Sequence, residues 1–160
     1  MPKPSIRRAI DSEMSAIYMM GFDTWGKGDQ QAYLAFSRDL PIYKKGRWYV
    51  LAEGETLLSS MIVYPLKTNE FGFGSIATPP ELRGKGFASI MIKEVMNLLQ
   101  IEVPQPALIL YSDIDPRFYE TFGFVRLPQE LQKYKTTTCM VQGKDPHNYF
   151  HSQDDIPDYF

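Results

Sequence analysis

Between Thr78 and Ser89 the chain reads Thr-Pro-Pro-Glu-Leu-Arg-Gly-Lys-Gly-Phe-Ala-Ser, and these residues carry the clearest chemistry in the sequence. The run before them, Phe71–Thr78, has the composition of a strand. The run after them, Gly86–Gln100, has helical spacing, with Phe87, Ile90, Met91, Val95 and Leu98 on one apolar face. No Ser, Thr, Asp or Asn stands at the cap of that helix; glycine and lysine stand there instead. Its first amides, from about Gly86 to Ser89, are therefore short of partners. Exposed N–H groups and the helix macrodipole converge at such a terminus and attract anions. Arg83 and Lys85 add positive charge beside it. The pattern describes a phosphate or pyrophosphate cradle; the alternative is a basic, glycine-containing turn that only starts a helix. The spacing is not that of the Gly-Lys-Ser/Thr phosphate loop, nor of the dinucleotide-binding fingerprint.

Other residue types with chemical potential read more blandly. His147 and His151 lie four apart near Asp145, Asp154 and Asp155, so a metal site is conceivable, yet Pro146 and Pro157 argue against one continuous helix, and no metal is expected. Cys139 is expected to be a small buried apolar residue. Lys44-Lys45-Gly46-Arg47 reads as a solvated turn. Trp25, Tyr33 and Phe36 read as core.

The elements that must position the Thr78–Ser89 segment follow from periodicity. Ser5–Ile10 reads as a strand, with Asp11 or Ser12 as the cap of a helix carrying Met14, Ile17, Tyr18 and Phe22. A second helix covers Gln30–Leu40. Trp48–Glu53 and Thr56–Tyr64 form a hairpin around Glu53-Gly54-Glu55. In the next strand, Phe71, Phe73, Ser75 and Ala77 share one face, while Gly72 and Gly74 mark a bulge or a close approach to the backbone. Ala107–Tyr111 is a continuous apolar run, as in a strand buried on both faces. Strand, helix, strand makes a βαβ unit, so these two strands are expected to be parallel. Asp115-Pro116 starts a further helix that Gly123 ends. Phe124–Leu127 and Lys135–Val141 supply the last strands, and 142–160 reads as a polar, acidic loop. The fold class is α/β (α+β mixed), a sheet with helices on both faces.

Composition narrows the function. At 160 residues and 18.4 kDa the chain has the size of one domain. A net charge of -2 and a pI near 5.7 give no global positive field, so neither nucleic acid nor membrane is an expected partner. No apolar run reaches the length of a membrane span, and a single cysteine fits a reducing, cytoplasmic setting.

Arg83-Gly84-Lys85-Gly86-Phe87-Ala88 resembles the Arg/Gln-x-x-Gly-x-Gly/Ala motif of the GNAT superfamily of acetyl-CoA-dependent N-acetyltransferases. Pro80-Glu81 before it and Phe118-Tyr119-Glu120-Thr121-Phe122-Gly123-Phe124 after it resemble the same family. Thr78-Pro-Pro-Glu and Tyr111-Ser-Asp-Ile are also similar to segments of fungal lysine acetyltransferase-like proteins. The resemblance implies one N-acetyltransferase domain over residues 1–160, with a twisted, mostly antiparallel sheet that splays around a central parallel pair. It implies that acetyl-CoA is the co-substrate, with Arg83, Gly84, Lys85, Gly86, Phe87, Ala88 and Ser89 at the pyrophosphate and Ile76, Ala77 and Thr78 along the pantetheine. Ser112 stands where many members carry Asn, seven residues before the tyrosine. Tyr119 is implied as the general acid beside the coenzyme sulfur. The general base stays open between Glu70, Asp113, Asp115 and water. The expected acceptor is a small primary amine, attracted by Asp154, Asp155 and Asp158, with a non-catalytic acyl-CoA sensor as the alternative.

Overall fold

A computed structural model describes residues 3–160, which divide into two compact units: residues 3–63 with 75–98, and residues 64–74 with 99–160. Seven strands form a mostly antiparallel sheet with one parallel pair. Among the described residues no helix is long and apolar enough to cross a membrane.

In the first unit, β1 (Ser5–Arg8), β2 (Arg47–Glu53) and β3 (Thr56–Pro65) pair antiparallel, with Ser5 opposite Ala52 and Trp48 opposite Ile62. The expected hairpin is present, and Gly54 turns it with φ +61°. The predicted cap at Asp11 or Ser12 is not what holds the next segment. Those residues lie in a 3-10 turn, and Glu13 does the tying, accepting from the Ile10 amide at 3.0 Å and from both Arg7 terminal nitrogens. The predicted helix also breaks into α1 (Met14–Met19) and α2 (Phe22–Trp25). Gly21 lies at the break, where the Trp25 ring occupies its side-chain space: a β-carbon there would collide with Cε3. Ile17 and Met20 pack on Val50 and Ala52. Asp29 caps α3 (Gln30–Asp39) by accepting from the Ala32 amide at 2.7 Å. Phe36 on that helix is 64% exposed and Trp25 46%, so neither is core.

The helix α4 (Phe87–Glu102) buries Met91, Ile92, Val95, Met96 and Leu99. Its core stripe is thus rotated from the expected one, and Ile90 is exposed.

In the second unit, the first half of β4 (Glu70–Ala77) pairs in parallel with β5 (Ala107–Ser112), from Glu70↔Ala107 to Phe73↔Leu110, as the βαβ pattern requires. All six β5 residues are buried. After α5 (Arg117–Glu120), Gly123 turns the chain at φ +91° into β6 (Val125–Arg126), and β7 (Thr138–Gln142) pairs antiparallel with both β6 and β5. Residues 142–160 are not a solvated loop. They carry α6 (Pro146–Tyr149), and Phe150 and Ile156 join a core with Ile109, Tyr111, Leu127, Cys139 and Val141. Apolar side chains spaced among Pro and Asp have no periodicity, so burial there is set by individual contacts.

Candidate active site

Side-chain ties at the end of β4 and at Arg83, together with backbone turns, build the segment from Ala77 to Ser89. Ser59 Oγ donates to the Ala77 carbonyl at 2.7 Å and lies 3.0 Å from Thr78 Oγ1, which fixes the end of β4. Pro80–Leu82 then makes a 3-10 turn, closed by the Leu82 amide on the Pro79 carbonyl at 2.9 Å. Gly84 and Gly86 follow at φ +78° and +84°, a region that L side chains avoid. A β-carbon on either would meet nothing within 4 Å, so both face open space. The Ile90 amide bonds the Gly86 carbonyl at 3.1 Å, which begins α4. Among the described residues, the amides of Gly84, Lys85, Gly86, Phe87, Ala88 and Ser89 make no hydrogen bond within the chain. Successive free amides at left-handed turns and a helix start form an anion-binding concavity. The residues present fit a diphosphate.

Arg83 differs from its expected part. Its guanidinium makes four hydrogen bonds: Nη1 and Nη2 to the two Asp23 carboxylate oxygens at 2.6 and 2.8 Å, Nη2 to the Met20 carbonyl at 3.0 Å, and Nε to the Thr78 carbonyl at 2.9 Å. Arg83 in turn holds the Asp23 carboxyl below its ordinary range. Lys85 is exposed, with no partner for its ammonium among the described residues. Upstream, Ser75 adopts φ +46° within β4 and donates to the Tyr43 hydroxyl at 3.2 Å. The strict alternation expected of this strand therefore ends at Ser75.

The same unit holds a cleft of about 590 Å³ lined by Ala16, Met19, Met20 and Leu57, by Pro79 and Pro80, and by the carboxylates Glu13, Glu55 and Glu81. Pro79, Pro80 and Glu81 continue the Thr78–Ser89 segment, whereas the other lining residues come from segments far apart in the chain and carry no sequence signal for this cleft.

In the second unit, Tyr119 is 8% exposed and packs edge-on to Phe118 and Phe124. Burial, with Asp113 adding to it, pushes its phenol up to about 12. Among the described residues its hydroxyl makes no hydrogen bond. Ser112 is buried, and its proton goes to the Ile114 carbonyl at 2.8 Å, which leaves only its lone pairs for any other group. Each candidate base has a structural task. Glu70 is 2% exposed and accepts from the Tyr149 hydroxyl. Asp113 accepts from the Tyr159 hydroxyl. Asp115 accepts from the Arg117 amide and guanidinium, which hold its carboxyl down to about 2. Burial pushes the Cys139 thiol up to about 12, so it is not a nucleophile at neutral pH.

A family model for the GNAT acetyltransferase domain matches residues 5–126, and the chain belongs to that family. Solved structures share the fold. A GNAT family acetyltransferase from Brucella melitensis, in complex with acetyl-CoA, superposes with TM-score 0.62 at 18% identity, over 91% of this chain and 92% of that one. An N-acetyltransferase from Thermoplasma acidophilum, in complex with coenzyme A, gives 0.67 at 12%, over 89% and 99%. A chimera of a spermidine N-acetyltransferase from Vibrio cholerae gives 0.67 at 14%, over 87% and 94%. No curated protein sequence matches this chain.

Proposed function

We propose that this protein transfers the acetyl group of acetyl-CoA to a small primary amine. The observation that carries the reading is the unbroken run of unpartnered amides from Gly84 to Ser89 in a GNAT acetyltransferase domain. When bound, acetyl-CoA supplies an activated thioester. The Gly84–Ser89 amides would hold its diphosphate, with the Lys85 ammonium adding charge. Ile76, Ala77 and Thr78 would align the pantetheine, and a backbone amide near Thr78 would polarise the acetyl carbonyl. Holding amine and thioester together is worth as much as ~7–11 kcal/mol in well-oriented systems.

Tyr119 is assigned the proton on the departing side. A phenol pushed up to about 12 stays protonated throughout the neutral range, and its hydroxyl has no competing partner among the described residues. As the amine nitrogen bonds the acetyl carbon and the C–S bond breaks, the phenol proton passes to the sulfur, and the second proton lost by the nitrogen restores the phenol. Water takes the proton from the attacking ammonium. Glu70, Asp113 and Asp115 are not assigned that step, since each is already engaged in holding backbone or side chains.

The acceptor is assigned as a cation. The cleft carries the carboxylates Glu55 and Glu81 beside an apolar floor suited to the carbon chain of an alkylamine, while Glu13 at its border is already paired with Arg7. The tail carboxylates do not have that part: Asp158 pairs with Lys133 at 2.8 Å, and Asp155 accepts from the His151 amide. The likeness to a spermidine N-acetyltransferase puts polyamines first among acceptors to try. A cytoplasmic setting, where acetyl-CoA is available, belongs to the same proposal. Acetyl-CoA at 100 times its dissociation constant is expected to add about 2.7 kcal/mol of stability, read as a rise in melting temperature. No rise at millimolar acetyl-CoA contradicts the reading.

A further inference from the structure

The phosphate loop is held by a residue that sequence reasoning assigns to the phosphate itself. The guanidinium of Arg83 reaches three separate pieces of the first unit: the end of β4 through the Thr78 carbonyl, the residue after α1 through the Met20 carbonyl, and α2 through Asp23. These contacts use all three guanidinium nitrogens, and two of them form the parallel fork that arginine makes with a carboxylate. The contacts bracket the start of the glycine turn, and the unpartnered amides begin at the next residue, Gly84.

Accepting the assignment of those amides to the coenzyme diphosphate, we propose that Asp23 and Arg83 are positioning residues for acetyl-CoA. The pair fixes where the glycine turn leaves β4, so that the Gly84–Ser89 amides converge on one point, and the arginine charge is spent on Asp23 rather than on the anion. Asp23 has no counterpart in the motif by which the loop is recognised; it lies 60 residues away in sequence.

The two assignments of Arg83 give opposite signs for one variant. If Arg83 were a direct phosphate ligand, Asp23→Ala would free its guanidinium and tighten acetyl-CoA. If Arg83 is a brace, the same change loosens the turn and weakens acetyl-CoA. Both side chains are substantially exposed, 40% and 46%, so the pair contributes little to global stability. A merely structural pair would move neither binding nor the kinetic constants selectively.

The test is titration calorimetry with acetyl-CoA on the full chain, as wild type, Asp23→Ala, Asp23→Glu and Arg83→Lys, with melting temperatures taken without ligand. The expected result is a dissociation constant raised roughly 10-fold for Asp23→Ala and Arg83→Lys, equivalent to about 1.4 kcal/mol lost from the amide contacts to the diphosphate. Asp23→Glu, which keeps the carboxylate, is expected to recover most of the loss. The double variant Asp23→Ala/Arg83→Lys is expected to be no worse than either single change. In steady state the defect is expected in KM for acetyl-CoA far more than in kcat, with ligand-free melting temperatures close to wild type. Tighter or unchanged binding by Asp23→Ala, while the wild type binds, overturns the positioning role and leaves the assigned function standing. Failure of the wild type to bind acetyl-CoA overturns both.

Discussion

The outer end of the Phe160 ring lies against Gly72: a β-carbon at that position would sit 2.6 Å from the ring Cζ and 2.9 Å from Cε2. Glycine is required there by space and not by backbone angle. The same ring packs against Tyr64 and Tyr111 at 5.3 and 5.6 Å between centroids, so the segment ending in Tyr159-Phe160 is part of the second unit's core. Gly72→Ala is expected to destabilise the fold by ~1–3 kcal/mol, the usual range for overpacking. Phe160→Ala should remove that clash, so the double variant is expected to be more stable than the sum of the two single changes predicts. Chemical denaturation of the four proteins measures this. Strict additivity would mean that the ring does not rest on Gly72.

The unusual glycines of β4 were visible in the sequence, and a close approach to the backbone was the correct physical reading at Gly72. What approaches was not visible, because the partner is 88 residues further on in a segment with no period. The hairpin, the βαβ unit and the glycine turn were legible because each is specified locally by alternation, helical spacing or backbone freedom. Asp23 as partner of Arg83 was not legible, since it needs two side chains 60 residues apart to meet, while the Glu13 tie and the break at Gly21 are local but depend on where single side chains turn, which spacing does not specify. The left-handed Ser75 carries no sequence signal, because serine does not mark such a position as glycine does.

The open glycine turn makes a second prediction. Gly86→Glu places a carboxylate on the face where six amides are free and is expected to abolish the rise in melting temperature caused by acetyl-CoA. Gly86 has a positive φ, so the change also strains the backbone. Gly54→Glu, in the β2–β3 turn at φ +61°, carries similar strain elsewhere and is the control. It should lose some stability and keep the acetyl-CoA response. Loss of the response in both variants, or in neither, contradicts the loop assignment.

Tyr119→Phe keeps the packed ring and removes only the hydroxyl. Turnover is expected to fall roughly 10²-fold, with acetyl-CoA affinity little changed. Pre-steady-state measurement must show that chemistry limits the wild-type rate. Near-wild-type turnover under that condition would make Tyr119 a packing residue.

The pH dependence of stability follows from buried groups that hold their protons. Tyr119 and Cys139 are both pushed up to about 12 by burial, and burial also raises Tyr111 and Tyr149. Unfolded, a phenol titrates near 10 and a thiol near 8.5. Above those values the unfolded chain binds fewer protons than the folded one, so stability must fall as pH rises. These groups leave the melting temperature level up to about pH 8 and lower it progressively from about pH 9 towards 12. A melting temperature that stays constant to pH 11 would show that they are not buried as described.

The most direct measurement of the central claim is acceptor-dependent thiol release from acetyl-CoA, with the acetylated product identified by mass spectrometry. The panel is polyamines, free lysine, aminoglycosides and a peptide N-terminus, each with wild type and Gly86→Glu. The account predicts stoichiometric thiol and N-acetylated product from wild type with at least one small cationic amine, best among the polyamines, and neither product from Gly86→Glu. Acetyl-CoA binding by the wild type with no thiol release for any acceptor would contradict it, and would make the protein a coenzyme-binding module instead of a transferase.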